Sequence, residues 1–283
     1  MSSGVISFHP YPYLVQDDFL PAEMLQNMRR NWPGEGNFYA EIPGNYVCNI
    51  TQFMGEGFWF EFSKNITSFM SAGVLAQFAE YLEARYPGER TYYVVLNSVM
   101  QSKGNYGGHD VHNHHYHNPC FAATILLYMD TVAEGHSGTT ILKTVTGMDE
   151  ATVAAQTLDW RDLTEEHATV DYKSGRMFAF HDNAIAYHSV KGSVPPARFG
   201  RRVYRLHVSA SDDWCEKIYG VGVDEYQKRR IAPTSDPLVV GWMRKDIEMM
   251  KNVRRTMSDG EREAWRKSLE IGVLRIKPED VAA

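Results

Sequence analysis

The stretch from His109 to His117 reads HDVHNHHYH and holds five of the chain's eleven histidines. Imidazole is the commonest side-chain ligand for divalent transition metals. A metal bound for oxygen chemistry needs imidazole or carboxylate ligands on one side and vacant positions on the other. Along an extended strand, residues two apart project from the same face. His115 with His117 is therefore one candidate pair, His112 with His114 another, and Asp110 with His112 a third. The remaining ligand must come from a distant strand. His188 meets that need, because in GRMFAFHDNAIAYHSVKGS an apolar strand ends in a polar turn and a histidine follows. Two plainer readings of the tract are a solvated polar loop and an adventitious metal-binding sequence.

Positioning such ligands is work for strands, and from Thr91 onward the sequence supplies them. TYYVVLNSVMQ, FAATILLYMD, GTTILKTV, GRMFAFHD and RRVYRLHVSA are short β-branched and aromatic runs separated by Gly, Asn, Asp and Pro, the pattern of an antiparallel sandwich or barrel. Residues 147–168 interrupt the series with an acidic, helix-favouring excursion over one end of the barrel. Before the strands, 17–32 predicts an amphipathic helix starting near Pro21. A second helix is expected over 67–85, its apolar stripe reading as core and its end marked by YPG. After Trp214 the chain turns charged and helix-prone, with a capping-type start at Ser258. These C-terminal helices are expected to buttress the sheet or to form a homodimer contact. The expected fold is α+β with a mainly β core, in one domain spanning 1–283: N-terminal support over 1–90, a core over 91–210 and a helical extension over 211–283.

Composition excludes several classes of function. A 283-residue chain that is 43% hydrophobic carries a sizeable core, and a formal charge of -6 gives no broad footprint for nucleic acid. Cys48, Cys120 and Cys215 are odd in number and lack C-x-x-C spacing, which argues against a disulfide framework or a thiolate zinc site. No basic flank leads a long apolar run, and no uncharged stretch is long enough to span a bilayer. The expectation is a cytoplasmic protein without membrane or nucleic-acid partners.

Residues 92–210 resemble the iron(II)/2-oxoglutarate-dependent dioxygenase superfamily. In that family a strand with a loose N-x-Y-x-x-G precedes an H-x-D pair, which precedes an apolar strand ending in YL. Here NSVMQSKG (Asn97 to Gly104) precedes HYH (His115 to His117), and TILLYM follows. GHSGTTIL is similar to the family's G-x-T turn and strand, GRMFAF to the strand before the distal histidine, and HDNAIAYH to the W-D-N-R…H segment of taurine dioxygenase-like members, with His181 in the tryptophan's place. The resemblance implies a double-stranded β-helix (jelly-roll, cupin-like) barrel with Fe(II) held by His115, His117 and His188, and His112 and His114 as alternates. His117 stands where the family has a carboxylate. Three neutral imidazoles leave the metal its full charge, which favours an anionic co-substrate. Members that halogenate have Gly or Ala at that position, so a histidine there favours hydroxylation.

The resemblance also implies 2-oxoglutarate as co-substrate, its far carboxylate held by an arginine fork. The family places that arginine ten to fourteen residues beyond the distal histidine. Arg198, Arg201, Arg202 and Arg205 crowd that interval. Arg202 ranks first, on the alternation that puts Tyr204 and Leu206 on the core face, and Arg201 second. Asn97 is expected to reach the same co-substrate. The implied reaction consumes molecular oxygen, oxidises a small-molecule substrate and yields succinate and CO2, with no catalytic residue beyond the metal site. Aromatics within 37–62, the 147–168 excursion and the C-terminal helices are expected to choose the substrate, and a locally cationic pocket favours an anionic or zwitterionic one. Two readings compete: a three-histidine cupin-type dioxygenase that does not use 2-oxoglutarate, and a non-catalytic metal-binding or sugar-binding jelly roll.

Overall fold

A computed structural model describes residues 4–42, 45–50, 58–88, 92–102, 121–130, 139–145, 147–155, 164–191, 201–210, 213–226 and 275–276. His109, His112, His114, His115, His117, Cys120, Arg198 and Ser258 lie outside the described residues, as does most of the expected C-terminal extension with its homodimer contact.

The strands, in chain order, are β1 (Val5–Ser7), β2 (Tyr13–Gln16), β3 (Tyr39–Ile42), β4 (Asn45–Asn49), β5 (Tyr92–Ser102), β6 (Phe121–Tyr128), β7 (Thr139–Val145), β8 (Thr164–Val170), β9 (Met177–Phe180), β10 (Tyr187–Lys191), β11 (Arg202–Ser209) and β12 (Arg275–Ile276). The helices are α1 (Ala22–Arg30), α2 (Phe58–Gln77), α3 (Ala79–Arg85), α4 (Glu150–Ala155) and α5 (Asp213–Tyr219). All five strand-like runs from Thr91 onward fall on strands, and α1 starts after Pro21 as expected. The helix expected over 67–85 begins earlier, at Phe58, and breaks at Phe78 into α2 and α3. Among the described residues of 147–168, Glu150–Ala155 form α4 and Thr164 onward is the strand β8, most of whose residues are exposed.

Among the described residues pairing is antiparallel throughout and forms two sheets. The large one runs β1-β2-β9-β6-β11-β5-β4-β3, with β12 also on β5, and the small one runs β10-β7-β8. Between β6 and β11 the chain crosses from one sheet to the other four times: β6 to β7, β8 to β9, β9 to β10 and β10 to β11. Every residue of β6 and β11 is buried, because each strand has a neighbour on both edges and a packed layer on both faces.

Those two layers differ. On one face of the large sheet, Ile125, Leu127, Met177, Ala179, Tyr204, Leu206 and Val208 pack against Met28 of α1, Trp59, Ile66, Met70 and Val74 of α2, and Leu82 of α3. On the other, Leu126, Tyr128, Phe178, Phe180 and Val203 meet Leu142 and Val170 of the small sheet. From Ala123 to Tyr128 of β6, and along β9 and β11 to Val208, period-2 alternation thus sorts successive side chains into helix-facing and inter-sheet layers.

Candidate functional site between the sheets

His188 sits second on β10, opposite Leu142 on β7. Leu142 belongs to the inter-sheet layer, and the His188 ring lies 5.0 Å from that of Phe180, which belongs to the same layer. His188 Nδ1 is 3.1 Å from the carbonyl oxygen of Ala186. A carbonyl only accepts, so Nδ1 carries the proton and Nε2 holds the lone pair. That is the tautomer a metal-ligating imidazole needs, fixed by the hydrogen bond of its other nitrogen.

Further polar groups lie on this side. Arg205 on β11 is opposite Ser98 on β5 and donates from Nε to its hydroxyl at 3.2 Å. His207 is opposite Thr124 on β6, with Nδ1 2.9 Å from Thr124 Oγ1. Thr124 in turn donates to Asp182 Oδ2 at 3.0 Å. Because Thr124 is also opposite Phe180, His207 and His188 stand at one level of the sandwich on opposite sheets. Arg205 lies two residues along the strand, roughly 7 Å away.

The preferred arginine of the sequence reading is elsewhere. Arg202 shares its face with Tyr204 and Leu206, but that face meets the helices. There its guanidinium donates two hydrogen bonds to Asp130, at 2.8 and 2.7 Å, and covers the Trp32 ring. Arg201 is on the inter-sheet side, stacked 5.3 Å from the Tyr128 ring and 5.6 Å from that of Tyr172, four residues farther from His188's level than Arg205. Asn97 is opposite Leu206 and turns with it to the helices, its Nδ2 3.5 Å from Thr67 Oγ1 on α2. The structure therefore does not bring Arg202 or Asn97 together with His188. Alternation explains both: 202 and 205 are an odd number of residues apart, and so are Asn97 and the inward Ser98.

Arg205 was one of the four arginines noted in that interval but was not preferred, and His207, Thr124, Asp182 and Ser98 were not singled out from sequence. The available signal was phase. One phase of β11 reads Val203, Arg205, His207, Ser209 and the other Arg202, Tyr204, Leu206, Val208, a polar bias too weak to separate the two arginines.

A second buried polar group lies on the helix side. Arg85 donates from both terminal nitrogens to Glu150, and Tyr219 donates to the same carboxylate. Burial raises the Glu150 carboxyl, but the Arg85 guanidinium outweighs it and holds the group at about 2. His181 is fully buried beside Tyr81 and donates from Nδ1 to the carbonyl of Ala122. Burial, with help from the charge of Arg85, pushes its imidazole down to about 3. His181 therefore stays neutral and structural, on the opposite side of the sheet from its neighbour Asp182.

Among the described residues no three His, Cys, Asp or Glu side chains cluster closely enough to hold a metal, and no helix is long and apolar enough to cross a membrane. Cys48 and Cys215 are buried and not joined in a disulfide. No protein-family model matches the sequence, and no curated protein is significantly similar to it. Among solved structures, the chain is similar to the non-heme alpha-ketoglutarate-dependent carbocyclase SnoK from nogalamycin biosynthesis, at 11% identity and a TM-score of 0.46, over 71% of this chain and 80% of that one. It is also similar to a 2OG-Fe(II) oxygenase family protein from Burkholderia pseudomallei, at 11% identity and a TM-score of 0.43, over 70% and 84%. A prolyl-4-hydroxylase from Pseudomonas putida gives 12% identity and a TM-score of 0.42, over 70% and 91%. Likenesses this distant say nothing of the reaction, so the functional reading rests on the residues.

Proposed function

We propose that this chain is an iron(II)- and 2-oxoglutarate-dependent oxygenase that hydroxylates a small molecule and releases succinate and CO2. The observation that carries the reading is that His188 of the small sheet and Arg205 and His207 of the large sheet all belong to the layer between the two sheets. The four crossings between two antiparallel sheets support a double-stranded β-helix. Within it, His188 supplies one metal ligand and the tract ahead of β6 supplies the others, His115 and His117. His117 precedes Phe121 by four residues, so the extended chain keeps their Cα atoms within about 14 Å. Phe121 itself packs against the His207 ring, 4.8 Å between centroids.

Iron bound there would activate dioxygen, coupled to decarboxylation of the keto acid. The protein's own part is orientation. Nδ1–H of His188 is spent on Ala186, so Nε2 is the donor nitrogen. Arg205, a buried fork two residues along β11 from His207, would take the far carboxylate of the co-substrate in place of Arg202. Its low-polarity setting strengthens that charge pair. The same reading takes 1–283 as one oxygenase domain acting in the cytoplasm on a small substrate.

Anaerobic titration of the protein with iron(II) and then 2-oxoglutarate tests the class. A weak visible charge-transfer band is expected, absent from His188→Ala. Iron binding without the band, with oxygen consumed in the absence of 2-oxoglutarate, would instead establish the three-histidine cupin chemistry. Iron binding without any oxygen consumption would overturn the enzyme reading.

A further inference from the structure

Two exposed histidines meet where an end strand of one sheet comes beside an end strand of the other. His9 follows β1, at one end of the large sheet. Ser7 fixes its backbone, donating from Oγ to the His9 carbonyl at 3.1 Å and accepting from the His9 amide at 3.3 Å. His167 lies on β8, at one end of the small sheet. There Ala168 pairs with Leu142 and Glu166 with Lys143, so His167 is the extra residue of a β-bulge, a device that re-aims a side chain. The two imidazole centroids are 4.9 Å apart, with their planes at 87°.

That spacing suits a shared metal ion. Two imidazoles bound to one zinc ion, at about 2.0–2.1 Å per bond and a tetrahedral angle, have centroids about 5 Å apart. A metal therefore requires only rotation of two exposed side chains, with both strands left in place. Among the described residues neither ring has a hydrogen-bond partner to give up. Glu165 and Glu166, exposed on the same strand as His167, add negative charge nearby, which attracts a cation. No third His, Cys, Asp or Glu completes a cluster among the described residues, so water fills the remaining positions. The geometry points to a surface site at which His9 and His167 together bind one divalent transition-metal ion of the zinc class and clamp β8 to the segment that follows β1. Both rings are exposed, outside the layer between the sheets, so the clamp is independent of the oxygenase reading. It still reaches that layer, because Tyr11, two residues after His9, donates to the carbonyl of Tyr187 on β10.

The test uses zinc chloride and the whole chain without iron or 2-oxoglutarate, comparing the unaltered protein with His9→Ala, His167→Ala and the double variant. Zinc held by the histidine-rich tract at 109–117 is common to all four proteins and cancels in the comparison. Nitrogen-15 spectra of histidine-labelled protein are expected to show the His9 and His167 imidazoles responding over the same zinc concentrations. In His9→Ala the His167 response should move to about tenfold higher zinc or more, because the second ligand no longer acts within the same molecule. The zinc-induced rise in melting temperature should shrink equally in the two single variants and no further in the double, the non-additivity of two ligands on one ion. Magnesium chloride should produce neither effect, since imidazole selects transition metals. A His167 response unchanged in His9→Ala, or zinc effects that add in the double variant, would overturn the site and leave the pair a packing contact only.

Discussion

The two faces of β11 put similar residues to opposite uses. Toward the helices, Arg202 is locked to Asp130 by two hydrogen bonds and covered by Trp32, and across the same layer Arg85 is locked to Glu150. Each cation there meets a carboxylate, in pairs that hold helices and loops to the sheet. Toward the small sheet, Arg205 and His207 are held by hydroxyls, Ser98 and Thr124. A neutral hydroxyl orients a guanidinium or an imidazole without neutralising it. On the proposed reading, the difference separates residues that stabilise the fold from residues assigned to the site.

The largest effect should come from the helix face. Glu150→Ala leaves Arg85 buried without its carboxylate, at a cost of about 3–5 kcal/mol in urea unfolding, while iron(II) binding to the surviving folded protein is unchanged. Next is the acid response of the same region. Unfolded histidine titrates near 6.5 and His181 at about 3 when folded, so the unfolded chain takes the proton first. This group's contribution is complete above 6.5 and is lost as pH falls toward 3, by up to about 1.4 kcal/mol per pH unit. Unfolding curves between pH 7 and 4 should show that slope and its absence in His181→Phe.

A smaller effect tests the link to the site. Tyr11 donates at 2.8 Å to the carbonyl of Tyr187, next to His188, tying the N-terminal segment to β10. Tyr11→Phe should cost about 1 kcal/mol and weaken iron(II) binding through β10. A loss of stability with unaltered metal affinity would show that β10 is positioned without it.

Most of the central strands were legible because β5, β6, β9 and β11 are unbroken β-branched and aromatic runs between turn residues. The strands β1 to β4 were not, being three to five residues long with mixed patterns. β8 reads TEEHATV and passes for an acidic helix, since one edge and much of its surface face water. The site was half legible. His188 followed from a strand, a turn and a histidine in sequence. The arginine did not, because β11 is buried on both faces and lacks the polar alternation that tells one side from the other. Only strand register shows that Arg202 and Arg205 point to opposite layers.

That distinction is also the most direct test. Calorimetric titration of 2-oxoglutarate into the anaerobic iron(II) protein is to be compared for Arg205→Leu and Arg202→Leu. Loss of a buried charge-assisted fork predicts at least about a hundredfold weaker binding for Arg205→Leu. Arg202→Leu should keep the native affinity and lose only thermal stability. Native affinity in Arg205→Leu, or a collapse of affinity confined to Arg202→Leu, would contradict the assignment of the site to the space between the sheets.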